Sequence, residues 1–377
     1  MSKNNKAQIL EGSRAIALTI KNIQPDVISA YPITPQTHIV EDLAKFKADG
    51  LANYEYIRSE SEFSAASIVL GASAKGARAY SATSSQGLLL MTEVIYNISG
   101  MRLPIVMTLA NRAISAPINI WNDHQDAMAI RDAGWIMLFA ENNQEAVWQH
   151  LLAFKIAEKL SLPVMVNIDG FILTHCYEPV YIPEKKLIKK FLPKYKPLKG
   201  KYLDSKNPIT MGAFMTPQHY QEYRKKIADD FTTAIEEIKT EHQILQKLTK
   251  AKMIKGVIDN GLIEYSGPKN PQTIIIAMGS VIGTIKSAIA SITTTKNNSV
   301  GVLKIKSYRP FPAKEIYDII KRAKNLIVLE KAISPGNFSP LFLDIKSISS
   351  DRQKIKSFIS GLGGRDITEK EILKIIK

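Results

Sequence analysis

Three polar side chains that could do chemistry follow short apolar runs in the sequence. Thr34 lies between two prolines in AYPITPQT, Glu62 begins EFSAASIVLGASAKG, and Arg112 follows LPIVMTLA. A proline-fixed turn presents the hydroxyl as a donor, and a guanidinium can offer a two-pronged fork to a carboxylate. A carboxylate where a helix turns wholly small and apolar is expected at a buried interface, which suits it to sharing a proton at neutral pH.

Each of these residues also has a plainer interpretation. The prolines could mark a strand exit, with Pro35 at the first position of a helix. Glu62 could simply be a carboxylate favoured near a helix N-terminus by the helix dipole. Glu60, two residues earlier, is expected to be the more exposed of the two glutamates.

Two further segments carry polar groups without a strong signature. SATSSQGLLLMTE turns from a strand into a helix and could cap that helix or meet an anion, but it lacks the G-x-S-x-G form of a serine nucleophile. Asp123, His124 and Asp126 stand in a loop at a spacing that matches no established metal motif. We expect them to form a structural hydrogen-bond cluster, and we predict no metal ligand on this chain.

The elements that must position these residues alternate between strand and helix from about residue 10 to 180. This alternation predicts a mostly parallel α/β sheet, whose apolar strands are buried on both faces and whose ligands bind at the carboxyl ends of the strands. The candidate strands are 26–32, 53–59, 77–83, 103–110, 135–141 and 163–169.

A second α/β pattern occupies the C-terminal part of the chain. Strand 273–280, strand 300–308 and strand 325–332 alternate with helical segments, and a polar run over 217–252 predicts a long exposed helix that links the two patterns. The predicted fold class is therefore α/β, with two open mostly parallel domains. We expect a first domain over 1–180, a basic arm and linking helix over 181–252, and a second domain over 253–377.

Composition excludes several classes of protein. The 377 residues are 45% hydrophobic and 23% charged, which is typical of a folded globular chain. No apolar run approaches the roughly 20 residues of a membrane span, and no secretory signal begins the sequence, so we expect a cytoplasmic protein. The single cysteine, Cys176, cannot hold an iron–sulfur cluster, which takes about four thiolates, and its sequence neighbour His175 does not by itself make a catalytic dyad.

About half of the formal net charge of +15 comes from one proline- and lysine-rich segment. Tyrosine and phenylalanine interleave with the lysines there, as in single-strand nucleic-acid binders, but no nucleic-acid-binding motif accompanies them. We therefore favour a solvated connector and expect neither a nucleic-acid nor a membrane partner. The eight lysines of this basic arm are 185, 186, 189, 190, 194, 196, 199 and 201.

Several segments together resemble a known family. YPITPQT, ESEFSAASIVLGASAKGARAYSATSSQGLLLMTE, WNDHQDAMAIRDAGW, DGFILTH and GLGGRDIT occur in the same order as in the alpha subunit of multisubunit 2-oxoacid:ferredoxin oxidoreductases, and most nearly that of pyruvate:ferredoxin oxidoreductase. The resemblance spans essentially the whole chain. It departs at Asn337, Phe338 and Ser339, where relatives tend to have a glycine-rich turn.

The resemblance implies a thiamine diphosphate enzyme with its active site between this chain and a beta subunit. This chain would supply a pyrimidine-binding-type domain and a transketolase C-terminal-like domain. The beta subunit would hold the cofactor diphosphate, its magnesium ion and a [4Fe-4S] cluster, and gamma- and delta-type subunits with further clusters would pass electrons to ferredoxin. Glu62 would bind the cofactor's aminopyrimidine ring as the catalytic residue, while Thr34 and Arg112 would bind the carboxylate and carbonyl of the 2-oxo acid.

The implied reaction is oxidative decarboxylation of pyruvate with coenzyme A to acetyl-CoA and carbon dioxide. The same chemistry on 2-oxobutyrate, a branched-chain or aryl 2-oxo acid, 2-oxoglutarate or oxalate remains an alternative, because pocket size rather than motif separates these substrates. A basic scaffold that keeps the fold without the chemistry is the alternative from a different class.

Overall fold

Short strands alternate with helices throughout the computed structural model, which describes residues 6–250, 256–292 and 299–376. The first elements are β1 (Gln8–Glu11), α1 (Gly12–Ile23), β2 (Val27–Ala30), α2 (Thr37–Ala48), β3 (Glu55–Arg58), α3 (Glu62–Ala74), β4 (Ala79–Thr83), α4 (Ser85–Leu90), α5 (Thr92–Gly100), β5 (Val106–Asn111), α6 (Gln125–Ala129), β6 (Ile136–Phe139), α7 (Asn143–Leu160) and β7 (Val164–Asp169). They are followed by β8 (Tyr177–Val180), α8 (Lys185–Phe191), α9 (Pro217–Thr249), β9 (Val257–Asp259), β10 (Ile263–Ser266), β11 (Thr273–Ala277), α10 (Val281–Ile292), β12 (Val300–Ile305), β13 (Ser307–Arg309), α11 (Ala313–Ile320), β14 (Asn325–Glu330), α12 (Pro340–Ile348), β15 (Lys354–Ile359), a 3₁₀ turn (Leu362–Gly364) and α13 (Glu369–Ile376).

The first sheet has seven strands in the order β13-β6-β7-β5-β4-β2-β3. All of them except β13 run parallel. Every residue of β4, β5, β6 and β7 is buried, because helices such as α3 and α7 pack against the sheet. The six strands predicted from the sequence are these six parallel strands.

The second sheet has six strands in the order β15-β14-β11-β12-β10-β9. The four strands β15, β14, β11 and β12 run parallel, while β10 and β9 are antiparallel. Strands β9, β10 and β15 were not predicted from the sequence, since they are short or half exposed and lack a continuous apolar run. Two mostly parallel sheets with helices confirm the predicted fold class.

One predicted strand is divided between the two sheets. Residues 300–308 were predicted to form a single strand of the second domain, but β12 ends at Ile305 and β13 pairs antiparallel with β6 in the first sheet. The second part of the chain therefore closes the edge of the first sheet. The division after residue 180 stays a prediction, and the predicted boundary at 252/253 lies outside the described residues.

The long helix α9 is not simply exposed, as the sequence suggested. Its 33 residues bury one stripe, at about one residue per helical turn, against α7 and α8. The stripe consists of Ile227, Ala234, Ile238, Glu241 and Leu245.

All eight lysines of the basic arm are exposed. Among the described helices, none is both long and apolar enough to cross a membrane.

A buried ion cluster joins the two sheets. Lys304 on β12 is 3% exposed, and its Nζ lies 2.7 Å from Glu141, 3.2 Å from Glu145 and 2.9 Å from Glu264. Glu141 and Glu145 follow β6 of the first sheet, whereas Lys304, Glu264 and Lys306 belong to the second part of the chain. Burial alone would raise the pKa of Glu145, but Lys304 and Lys306 lower it to about 2.

We predict that Lys304→Ala lowers the free energy of unfolding by about 3–5 kcal/mol, because three carboxylates then lose a buried partner. Calorimetric unfolding measures this loss. Lys321→Ala is the matched control, since Lys321 is paired only at the surface with Asp318 and should change stability little. Equal effects of the two substitutions would contradict a stabilising role for the cluster.

The cluster also predicts a dependence on acid. The pKa of Glu145 is lowered from 4.5 to about 2, so its contribution is present above pH 4.5 and is lost as the pH falls toward 2. The stability difference between wild type and Lys304→Ala should therefore shrink in acid over that range.

Candidate active site

The loops after β2, β3, β4 and β5 lie at one edge of the first sheet, because parallel strands end on the same side. Thr34 follows β2, Glu62 follows β3, and Arg112 directly follows β5. Arg112 Nη1 donates a hydrogen bond to the main-chain carbonyl of Thr34 at 2.9 Å. The structure thus brings Thr34 and Arg112 together, while Glu62 lies against the first turn of α4.

Glu62 is the first residue of helix α3. Ser61 caps this helix, with its Oγ accepting a hydrogen bond from the Ser64 amide at 3.2 Å. Glu62 is only 9% exposed, whereas Glu60 is exposed and accepts a hydrogen bond from Ser64 Oγ at 2.6 Å. The position fits the helix-dipole interpretation, and the burial fits a carboxylate that shares a proton.

Gly87 allows Glu62 to lie against the first turn of α4. A methyl group on Gly87 would lie 2.8 Å from both Cγ and Oε1 of Glu62 and 2.5 Å from Thr83 Oγ1. These distances are too short for carbon, so any side chain at position 87 would displace Glu62 or Thr83. The glycine therefore fixes where the carboxylate can sit.

Three buried polar atoms at the end of β4 and the start of α4 have no hydrogen-bond partner in the part of the chain that the structure describes. They are Thr83 Oγ1, Ser84 Oγ and Gln86 Nε2. Buried polar groups are normally paired, so three within four residues indicate a place where a polar ligand could complete the hydrogen bonds. Ser85, between them, is held in place by Oγ donating to the Ala113 carbonyl at 2.5 Å.

Arg112 is a buried cation, and two of its guanidinium nitrogens donate hydrogen bonds to main-chain carbonyls. It is 7% exposed, and its Nε donates to the Asn119 carbonyl at 3.1 Å. Burial lowers its pKa, while the nearby Asp126 carboxyl favours the charged form. The two main-chain carbonyls hold the guanidinium in one orientation and leave other N–H groups for an anion.

Asp126 links the start of α4 to the residue that follows β5. It is fully buried, and its Oδ2 accepts hydrogen bonds from the amides of Ser85 at 3.1 Å and Arg112 at 3.0 Å. Its Oδ1 accepts from Asn111 Nδ2 at 3.0 Å. Burial raises the pKa of Asp126 to about 7, with these hydrogen bonds acting in the opposite direction. From the sequence, Asp126 was expected only as a member of a hydrogen-bond cluster, and this positioning role was not predicted.

Asp169, the last residue of β7, joins the same region to the second part of the chain. His124 Nε2 lies 2.7 Å from its Oδ1, and Lys331 Nζ lies 2.7 Å from its Oδ2. The amide of Ser280 donates to Oδ2 at 2.9 Å. Burial would raise the pKa of Asp169, yet Lys331 and His124 hold it well below its usual range.

The GLGGRDIT segment packs on the loop that orients Arg112. Gly363 accepts a hydrogen bond from Asn119 Nδ2 at 3.1 Å, and the Gly364 amide donates to the Asn122 carbonyl at 2.6 Å. Asn119 is also the residue whose carbonyl binds Arg112. The C-terminal segment is therefore part of the support of the site, a role that its glycine-rich composition did not reveal.

The other sequence candidates have ordinary partners. Asp123 accepts hydrogen bonds from Gln125, and His124 contacts Asp169, which agrees with the expected hydrogen-bond cluster. His175 Nδ1 lies 2.7 Å from Thr174 Oγ1 rather than pairing with Cys176, which is exposed.

Two family matches cover most of the chain. Residues 19–243 match the family described as "Pyruvate flavodoxin/ferredoxin oxidoreductase, thiamine diP-bdg", which denotes thiamine diphosphate binding. Residues 272–372 match "Pyruvate:ferredoxin oxidoreductase core domain II".

Curated relatives are similar over nearly their whole length. The pyruvate synthase subunit PorA of Methanosarcina barkeri is 46% identical over 379 residues, covering 99% of this chain and 92% of the relative. The subunit of the same name from Methanocaldococcus jannaschii is 47% identical, covering 98% and 94%. The ketoisovalerate oxidoreductase subunit VorA of Pyrococcus horikoshii is 39% identical, covering 100% and 94%.

A solved structure shares the fold. It is the 2-oxoglutarate:ferredoxin oxidoreductase from Magnetococcus marinus, with 2-oxoglutarate, coenzyme A and succinyl-CoA bound, at a TM-score of 0.70 and 20% identity. All of this chain is covered, and it spans 65% of that solved chain. The family matches and the near-full-length relatives establish that this chain belongs to the pyruvate flavodoxin/ferredoxin oxidoreductase family.

Proposed function

We propose that this chain is the alpha subunit of a pyruvate:ferredoxin oxidoreductase, which converts pyruvate and coenzyme A to acetyl-CoA and carbon dioxide and passes electrons to ferredoxin. The observation that carries the proposal is the identity of 41–47% with several pyruvate synthase subunits over almost the whole chain. Glu62, Thr34 and Arg112 provide a site of the chemistry this reaction needs.

A branched-chain 2-oxo acid is the second candidate substrate. The ketoisovalerate oxidoreductase subunit is 39% identical over the whole chain, little below the pyruvate synthase subunits. We favour pyruvate because the most similar of these relatives are pyruvate synthase subunits.

Thiamine diphosphate fits the residues beside Glu62. Its aminopyrimidine ring carries both hydrogen-bond donors and acceptors, and the unpaired Thr83 Oγ1, Ser84 Oγ and Gln86 Nε2 need such partners. Glu62 would hold the ring and share a proton with it from a nearly dry position. When bound, the cofactor supplies the nucleophile and the electron sink for decarboxylation.

Arg112 and Thr34 would bind the 2-oxo acid. The guanidinium is buried and oriented by two main-chain carbonyls. It can therefore bind a carboxylate without losing further side-chain entropy. The Thr34 hydroxyl is free to donate to the substrate carbonyl, since the contact with Arg112 uses the Thr34 main chain. Together they position the substrate relative to Glu62.

The remaining cofactors belong to partner subunits in this proposal. With one cysteine in the chain, the [4Fe-4S] clusters need thiolates from elsewhere. We assign a cluster, the cofactor diphosphate and its magnesium to a beta subunit, and further clusters to gamma- and delta-type subunits that reduce ferredoxin. Exposed apolar side chains around the site offer a surface for such a partner, among them Tyr31, Phe63, Ile118 and Trp121.

We predict that Glu62→Gln leaves the complex assembled and lowers turnover by about 10²–10⁴-fold, because an amide cannot share the proton. Pyruvate- and coenzyme A-dependent reduction of a viologen dye under anaerobic conditions measures the rate. Glu60→Gln is the matched control, since Glu60 is exposed and should leave turnover unchanged.

Wild-type turnover in an assembled Glu62→Gln complex would refute the role of Glu62. If an intact, cofactor-loaded wild-type complex reduces no dye with any 2-oxo acid, the basic-scaffold alternative gains support. Reduction with 2-oxoisovalerate but not with pyruvate would keep the site residues and change the substrate.

Arg112→Ala should raise KM for the 2-oxo acid by about 10- to 100-fold, through loss of a charge-assisted pair. Assembly should be intact by size-exclusion chromatography. Arg322→Ala, which removes an exposed arginine of the second part of the chain, serves as the control and should leave KM unchanged. An unchanged KM in Arg112→Ala would show that the carboxylate binds elsewhere.

Asp126→Asn should lower the free energy of unfolding by about 1–3 kcal/mol and weaken substrate binding, because an amide cannot accept every bond made to the loops. The folded-state pKa of Asp126 is raised from 3.8 to about 7, so its protonation stabilises the protein most in acid and this contribution is lost as the pH rises to about 7. The stability deficit of the variant should therefore shrink as the pH rises from about 4 to about 7, the interval between the two pKa values of Asp126. Asp132→Asn, at an exposed carboxyl, should show no such pH dependence.

A further inference from the structure

Three potential metal ligands from distant parts of the sequence meet on the surface of the first sheet's helical layer. Glu11 ends β1, His38 lies in the first turn of α2, and His175 lies between β7 and β8. One ligand atom from each of the three lies within 4.8 Å of the other two. We call this group the His38 cluster.

The main chain around the His38 cluster is held by hydrogen bonds. Strands β1 and β8 pair antiparallel, which sets Glu11 opposite Tyr177. The Ser13 amide donates to the Thr174 carbonyl at 2.9 Å, so the residues after Glu11 are tied to those before His175. Two of the three ligands are therefore positioned by regular pairing rather than by a free loop.

The third ligand is positioned by helix packing. Helix α2 lies against α1, and an ion pair between Arg14 and Asp42 links the two helices beside the cluster. His38 Nδ1 lies 2.7 Å from Glu11 Oε1, and the His38 and His175 rings are 4.7 Å apart between centroids. Phe171 packs on the other side of His175 at 4.8 Å. Little rearrangement is needed to bring all three groups onto one ion.

Each imidazole already has a partner for one of its nitrogens. His175 Nδ1 lies 2.7 Å from Thr174 Oγ1, which also accepts a hydrogen bond from the Phe171 amide at 2.8 Å. His38 Nδ1 lies against Glu11. Metal-bound histidines usually use one nitrogen for the metal and the other for such a hydrogen bond, which fixes the ring. For His175 this leaves Nε2 as the ligand atom, whereas His38 would bind the ion through Nδ1, which already faces the Glu11 ligand.

The surroundings favour a cation. A cavity of about 350 Å³ next to the cluster is lined by the carboxylates of Glu11, Glu41 and Asp42, against one guanidinium, Arg14. His38 has 48% of its side chain exposed, so an ion can reach the cluster from solvent.

We propose that Glu11, His38 and His175 form a binding site for a divalent first-row transition metal, with Zn²⁺ as the best fit. Two imidazoles and one carboxylate are ligands that Zn²⁺ accepts in a four-coordinate site, with water in the remaining position. The two imidazole nitrogens disfavour Mg²⁺, which prefers an octahedral shell made of oxygen atoms. None of its ligands is Glu62, Thr34 or Arg112, and the proposal does not rest on the proposed function.

The ion would add one more direct link between three segments that already pack together. Glu11, His38 and His175 lie on β1, on α2 and on the segment after β7, so one ion would cross-link all three. Binding to the folded state alone stabilises a protein by mass action. We therefore expect a structural ion whose removal lowers Tm.

The test uses the tag-free full-length chain after treatment with a chelator, because a histidine tag would bind the same ions. Titration with Zn²⁺ in a calorimeter should show one saturable equivalent, and Co²⁺ should give visible absorption bands of low-coordinate cobalt bound to nitrogen and oxygen. His38→Gln, His175→Gln and Glu11→Gln should each lower the affinity by about 10-fold or more, in the range by which loss of a metal ligand or its support weakens a site.

Three matched controls should keep the site. His219→Gln changes an exposed histidine on α9, Glu41→Gln changes a carboxylate of the same cavity, and Cys176→Ser removes the exposed thiol next to His175. Zn²⁺ should raise the Tm of the wild type and of these controls but not that of His38→Gln. Because His38 is largely exposed, its replacement is expected to leave the fold intact.

Several results would overturn the proposal. One is the absence of saturable Zn²⁺ binding by the folded wild-type chain. A second is binding that persists in all three ligand variants, and a third is binding lost with Cys176→Ser, which would indicate a thiol site. Equal binding of Mg²⁺ and Zn²⁺ would indicate only the negative charge of the cavity.

Discussion

The buried carboxylate of Asp169 is the point on which the relation between the two sheets depends. It stands at the end of a central strand, and a lysine, a histidine and a serine from other parts of the chain converge on it. A buried charge of this kind is tolerated only while its partners are in place, so the second sheet cannot shift without a large electrostatic cost. The second part of the chain also binds the loop that orients Arg112, because Asn119 Nδ2 of that loop donates a hydrogen bond to the Gly363 carbonyl.

The candidate site combines fully hydrogen-bonded groups with unpaired ones. Asp126 accepts hydrogen bonds from two main-chain amides, and Arg112 is oriented by two main-chain carbonyls. In contrast, buried polar atoms at the end of β4 and the start of α4 are unpaired among the described residues, and apolar side chains are exposed nearby. This combination supports the proposal that the site is completed by a bound ligand and a partner subunit.

The sequence predicted the six parallel strands of the first sheet and the loops of the site because a buried parallel sheet requires apolar runs and its ligands lie at their carboxyl ends. It could not predict the roles of Asp169 and Asp126. Asp169 finds its partners 111 and 162 residues away, at Ser280 and Lys331, and no local pattern encodes such pairs. The division of residues 300–308 between the two sheets could not be predicted either, because an apolar run has the same pattern whichever sheet it joins. The roles of Glu62, Thr34 and Arg112 stay predictions.

Strand β13 has a consequence for how the chain can be divided. It covers β6, whose four residues are all buried, and it reaches the first sheet only after the chain has passed through most of the second. A fragment that stopped after the long helix would leave β6 as a bare apolar edge, open to pairing with another molecule. The part of the chain up to the end of α9 therefore depends on three later residues, Ser307–Arg309, to cover this edge of its sheet.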